Sequence, residues 1–221
     1  MKGCLMWLLD LLFPPKCMLC LRLLENSEQR VCEHCLQELP EFDGPLRKVD
    51  YFEKTIAPLF YEDNVREAVL RFKFQGMSAY GKQFAKWMAI WIRDHLDGQY
   101  DLITWVPCSK RRRWVRGYDQ AELLAKALAK ELHADVFRTL EKTVHNRKQS
   151  RQKSAAHRRA NVLGVYRAFC PERFQGKKIL LVDDVLTTGA TLSECGKVLR
   201  IAGSGDLVCA VIAAVRRENK E

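Results

Sequence analysis

The chain has 221 residues, 48% of them apolar, and a formal net charge of +10. That length holds one ordinary domain plus a small appendage with ample apolar content for a core, and no window approaches the roughly 18 apolar residues of a membrane span. The nine cysteines are not arranged as a secreted disulfide framework, so a reducing cytoplasm fits best.

The charge is concentrated. Sixteen Lys/Arg and five Asp/Glu lie between Val106 and Cys170, an excess that accounts for the whole net charge. Such a region attracts polyanions, unless it is simply a solvated face.

At the start, Leu5, Leu8, Leu9 and Leu12 share a helical face that Pro14 and Pro15 end. The stretch is too short, is interrupted by Asp10 and lacks the small-residue cleavage site expected of a signal peptide. Two tight cysteine pairs follow, "CMLC" and "CEHC", and the loop-like "PEFDGPLRK" marks a boundary near residue 45. The expected division is 1–45 and 46–221. Within the larger part, 56–61 reads as a strand. Asp63 then caps a helix with Val65, Ala68, Val69 and Phe72 on one face and Gly76 at its end. Phe84, Trp87, Met88, Trp91 and Ile92 define the core face of a second helix.

"LITWVP" (102–107) reads as a buried strand, and Asp119 caps a helix carrying Ala121, Leu124, Ala125, Leu128 and Leu132 on one side. Residues 142–171 contain eight Lys/Arg and no acid, without apolar periodicity, and read as a mobile basic flap. "KILLV" (178–182), a helix over 190–202 ended by Gly203, and "LVCAVIAAV" (207–215) complete the pattern. Continuous apolar strands separated by amphipathic helices predict an α/β fold with a parallel sheet covered on both faces.

Two motifs carry chemistry. Cys17, Cys20, Cys32 and Cys35 form C-x2-C, an 11-residue spacer and C-x2-C. Two such knuckles supply four thiolates to one tetrahedral Zn²⁺ with no open position, which makes the metal structural. A pair of redox dithiols is the alternative. A 45-residue appendage also needs metal for much of its stability.

The second motif is "ILLVDDVLTTGAT" (179–191), a buried strand leading through Asp183 and Asp184 into a hydroxyl-rich turn and a helix. Thr187, Thr188, Gly189, Ala190 and Thr191 line a helix N-terminus with donors that suit phosphate, and Gly189 permits close backbone approach. Carboxylates beside a phosphate seat make sense for a ligand that is phosphate at one end and polyol at the other. Asp183 and Asp184 then accept bonds from sugar hydroxyls and help hold a divalent cation. The ligand implied is a sugar phosphate.

This thirteen-residue pattern resembles the signature of type I phosphoribosyltransferases. The resemblance implies a type I phosphoribosyltransferase-like parallel sheet with flanking helices, and a site for 5-phosphoribosyl 1-pyrophosphate (PRPP) with Mg²⁺. Asp183 and Asp184 would meet the ribose hydroxyls, and 187–191 the 5′-phosphate. For the pyrophosphate it implies the strand-end loop "VPCSKRRR", with Cys108, Ser109, Lys110 and Arg111.

Together with the four-cysteine knuckle and "RRRWVRGYDQAELLA", the whole chain resembles the ComF family of competence proteins. That resemblance implies a cytoplasmic protein, peripheral to the membrane at the DNA-uptake machinery. It would assist uptake or processing of single-stranded transforming DNA alongside a DNA-translocating ATPase. Gln149, Arg158 and Asn161 of the flap are similar to that family too.

Arg112, Arg113, Trp114, Arg116 and Tyr118, with Arg147, Lys148, Arg151, Arg158 and Arg159 of the flap, combine cations and aromatics as a single-strand DNA surface requires. Trp105, Tyr166 and Phe169 lie in the same region, where each aromatic suits a core equally well. Three readings stay open at this level. One is a PRPP-binding competence protein on single-stranded DNA. The others are an active transferase on an unidentified acceptor and an adaptor that docks the ATPase.

Overall fold

The computed structural model describes residues 14–26, 28–43, 46–143 and 164–216. In chain order these carry α1 (Glu33–Gln37), β1 (Lys54–Ile56), β2 (Leu59–Phe60), α2 (Asp63–Phe74), α3 (Tyr80–Leu96), β3 (Leu102–Trp105), α4 (Lys110–Arg116) and α5 (Gln120–Leu132). There follow β4 (Leu140–Lys142), β5 (Tyr166–Ala168), a 3-10 turn at Pro171–Arg173, β6 (Ile179–Leu186), α6 (Ala190–Ile201) and β7 (Leu207–Ala214).

The apolar runs pair as expected. The main sheet has the order β1-β7-β6-β3, with β2 also against β7, and every pairing is parallel. All eight residues of β7 are buried, as a strand covered on both faces requires. Alternation along β6 divides the core. Leu180 and Val182 pack with α2, α3 and α5, whereas Ile179 and Leu181 face α6 and the β4–β5 ribbon. No helix among the described residues is long and apolar enough to cross a membrane. The amphipathic stretch Leu5–Leu12 lies outside the described residues.

Several local expectations shift. The strand over 56–61 is two short ones, because Pro58 has no N–H to continue the ladder. Asp63 does not cap α2: it is the first helical residue, with φ 42°, and the capping position is Glu62. Glu62 makes no side-chain cap because both its carboxylate oxygens accept from Arg216, each at 2.9 Å. Asp119 does cap α5, accepting from Glu122 N–H at 3.3 Å. β6 runs on past residue 182 through both aspartates to Leu186, still paired with β7.

The basic run after β3 forms α4, a helix with no buried residue. Ser109 caps it by accepting from Arg112 N–H at 3.3 Å, and Gly117, at φ 79°, ends it. At the flap, β4 and β5 pair antiparallel, so the chain leaves at Lys142 and returns at Tyr166 on the same spot.

Candidate functional site

The carboxyl ends of β3 and β6, the last turn of α2, α4 and the amino ends of α5 and α6 surround a cleft of ≈ 340 Å³. Crevices beyond the carboxyl ends of parallel strands are where this class of sheet binds ligands. Asp183, Asp184, Thr187 and Thr191 line it from β6 and α6, and Arg112 and Arg116 from α4. Lys73 lines it from α2, Asp119 from the α5 cap, and Lys142 and Tyr166 from the flap base.

The end expected to take an anion is built from backbone. Gly189 adopts φ 78° as the residue before α6, a left-handed conformation that only glycine takes without strain. The 12-residue helix that starts there has first-turn N–H groups without intrahelical partners, as every helix does. Thr188 Oγ1 accepts from Ala190 N–H at 3.4 Å and shapes the turn.

The two carboxylates differ. Asp184 is held by Lys73, Nζ to Oδ1 2.8 Å, with only 18% and 17% of the two side chains exposed. Burial works against the Lys73 ammonium, yet Asp184 and Asp183 together raise its pKa. Asp183 accepts from Asp184 N–H at 2.8 Å, and burial, followed by the charge of Asp184, pushes its carboxyl up to about 8. A cation or a set of hydroxyl donors is what such a pair needs. Opposite, burial and the neighbouring Arg112 lower the pKa of both Arg116 and Lys142, so these cations crowd one another.

Of the residues expected on the pyrophosphate side, Cys108 lines the cleft, but its N–H is taken by Asp119 Oδ2 at 2.7 Å. Burial and then Asp119 push the Cys108 thiol up to about 12, so it stays protonated. Ser109 is buried as the α4 cap. Lys110 instead lines an adjoining cleft of ≈ 280 Å³ with Arg113, Trp105 and Glu122, and Arg111 lines neither. Helical spacing puts Arg112 and Arg116, four apart, on the cleft side and turns Arg111 away.

Among the expected DNA contacts, Trp114 is 86% exposed on α4. Tyr118 is half-buried, and its hydroxyl donates to Phe72 O, so it braces the fold instead of offering a free ring. Trp105 and Tyr166 are core residues. Arg147, Lys148, Gln149, Arg151, Arg158, Arg159 and Asn161 lie outside the described residues. Lys73 and Lys142 were not legible as site residues, since neither sits in a motif. Lys142 is aimed by donating to Tyr166 Oη at 3.1 Å.

The ligand atoms of Cys17, Cys20, Cys32 and Cys35 all lie within 4.8 Å of one another. Cys20 and Cys32 Sγ are 3.7 Å apart, the edge of a tetrahedron whose centre is about 2.3 Å from each sulfur. Cys32 N–H donates to Cys17 Sγ at 3.4 Å, a bond that favours thiolate. Burial raises the Cys17 pKa, and backbone N–H groups of Cys20, Cys32 and Leu19 outweigh it, holding the thiol down to about 7. Four converging sulfurs, Cys17 among them held by backbone N–H groups, fit one Zn²⁺.

Residues 8–46 match the double zinc ribbon domain, and residues 119–221 the phosphoribosyl transferase domain. Competence protein F of Haemophilus influenzae is 31% identical over 181 residues, covering 78% of this chain and 79% of that protein. Competence protein ComFC of Bacillus subtilis is 31% identical over 63% of this chain and 55% of its own length. The DNA utilization protein YhgH of Escherichia coli is 29% identical over 76% and 70%. Among solved structures, the allosteric regulatory enzyme of purine biosynthesis aligns with 61% of this chain and 25% of its own, at 22% identity and a TM-score of 0.42. With a zinc ribbon ahead of a phosphoribosyltransferase-type domain, the chain belongs to the ComF family of competence proteins.

Proposed function

We propose that the cleft binds PRPP together with Mg²⁺, and that the protein uses this site while handling single-stranded DNA in competence. One observation carries the first part. The Asp183–Asp184 pair, Thr187 and Thr191 at the two ends of the turn into α6, and two arginines of α4 line a single cleft of ≈ 340 Å³. A ligand with a phosphate at one end, a diol in the middle and a pyrophosphate at the other satisfies all three groups. The turn takes the 5′-phosphate, Asp183 and Asp184 take the hydroxyls, and Arg112 and Arg116, with Lys142, take the pyrophosphate. Asp183 and Asp184 also offer the hard oxygen ligands Mg²⁺ requires. Bound there, Mg²⁺ would neutralise pyrophosphate charge.

The DNA part rests on α4. Trp114, 86% exposed, shares the side of α4 away from the cleft with exposed Arg111 and Arg113. Bases stack on such a ring while phosphates follow the cations. The partners on this reading are single-stranded DNA and a competence-associated DNA-translocating ATPase, and the location is the cytoplasmic side of the uptake machinery.

Calorimetric titration of PRPP with Mg²⁺ into the wild type and an Asp183→Asn/Asp184→Asn variant tests the cleft. Saturable binding that the variant loses is expected. A wild type that does not bind, or a variant that binds equally well, removes the reading. Pyrophosphate release during a screen of acceptors would extend it to turnover.

A further inference from the structure

Four consecutive residues in the last turn of α2 each hold a different part of the molecule. Arg71 is buried, and its Nη2 donates to Met18 O at 2.9 Å and Leu19 O at 2.7 Å, the two residues between Cys17 and Cys20. The Phe72 ring packs on Phe84 and Tyr118, and its carbonyl accepts the Tyr118 hydroxyl. Lys73 pairs with Asp184 at 2.8 Å, and Phe74 lies under the Arg116 guanidinium, 4.5 Å from its ring centre. One turn therefore touches the cysteine knuckle at Arg71, the core at Phe72 and the cleft at Lys73 and Phe74.

The Arg71 contact is costly to keep unless its partners stay in place. Its Nε is buried without a partner, so the guanidinium depends on the two carbonyls for its compensation. Those carbonyls belong to the knuckle turn, whose geometry is set by Cys17 and Cys20 converging on one point. Met18 and Leu19 are buried in the same apolar cluster as Phe72, so this turn cannot shift without disturbing α2.

We propose that the last turn of α2 couples the cysteine knuckle to the cleft, so that Zn²⁺ at the knuckle and PRPP–Mg²⁺ in the cleft strengthen each other's binding, with Arg71 as the positioning residue. Metal loading orders the 17–20 turn, which holds Arg71. Arg71 fixes the helix end that sets Lys73 and Phe74 against Asp184 and Arg116. The proposal rests on the PRPP reading of the cleft. Because binding linkage is reciprocal, the factor by which PRPP–Mg²⁺ tightens zinc equals the factor by which zinc tightens PRPP.

The experiment uses the full chain. Zinc affinity is measured by competition with a chromogenic chelator, with and without saturating PRPP–Mg²⁺. PRPP affinity is measured by calorimetry on zinc-loaded and zinc-stripped protein. Equal factors of about fivefold or more are expected, the low end of usual coupling. Arg71→Met should bring the factor to about one while PRPP still binds. Arg71→Lys should restore it, because one nitrogen makes both bonds and an ammonium can replace it. If zinc-stripped protein or Arg71→Met does not fold, the chelator competition on the wild type and Arg71→Lys still decides. PRPP binding with no effect on zinc affinity overturns the coupling alone, as does full coupling in Arg71→Met. Absence of PRPP binding in the wild type overturns the reading of the cleft and the coupling with it.

Discussion

Replacing Lys73 by Met keeps the apolar stem and removes the cation from Asp184. At 2.8 Å and an effective dielectric of about 20, the gross attraction is about 6 kcal/mol. Desolvation of two groups that keep 18% and 17% of their side-chain surface offsets more than half of that, leaving a net coupling of about 2 kcal/mol. The single variant also leaves Asp184 beside Asp183 without its cation, so Lys73→Met should lose about 2–3 kcal/mol. Asp184→Asn should lose about 1–2 kcal/mol, because the ammonium retains Asp183 nearby. The double variant should then lose no more than about the larger single value. Urea denaturation at pH 7 and saturating zinc, followed by circular dichroism, gives all four corners of the cycle. A coupling below about 0.5 kcal/mol, as found between distant independent sites, would refute the pair as a stabilising contact.

Four further outcomes are open to measurement. The Asp183 carboxyl is raised by burial and by Asp184 to about 8 from an ordinary 3.8, so the folded state holds a proton that the unfolded chain releases. Its contribution is fully present below about pH 4 and is lost as pH rises towards 8. Denaturation at pH 5 and pH 8 should therefore show Asp183→Asn gaining stability over wild type as pH rises, with the larger advantage at pH 8. Gly196 sits in α6 with Phe52 Cε2 2.7 Å and Tyr51 Cβ 3.0 Å from where a Cβ would stand. Gly196→Ala should therefore cost about 1–2 kcal/mol net despite its helix propensity, read as a lower Tm. Trp114→Ala should leave Tm unchanged and weaken single-stranded DNA binding by about 1–3 kcal/mol with the salt slope retained. Arg113→Gln should instead reduce that slope by about one.

Much of this molecule is written locally. Strands such as 179–182 and 207–214 are apolar at every position because both faces of a parallel sheet are covered, and that pattern survives without any knowledge of neighbours. The knuckle is equally local, since each C-x2-C turn presents two sulfurs by its own geometry. The turn at Gly189 was legible for the same reason: its left-handed backbone and the helix start it opens are decided within a few residues. Asp119 could be read as a helix cap, because a cap bonds an N–H three residues on.

Tertiary structure decided what faces what. Among the five cations of α4, only helical phase and the direction of the helix place Arg112 and Arg116 in the cleft and turn Arg111 away. Tyr118 was a plausible exposed ring until Phe72 O, 46 residues distant, took its hydroxyl. Lys73 carries no motif at all, and it becomes part of the site because α2 ends against β6, 111 positions along the chain from Asp184. Arg71 joins the knuckle to that same helix end from 52 and 53 residues away. A sequence encodes such contacts only through packing, where burial and chain direction, rather than local spacing, choose the partner of each charge.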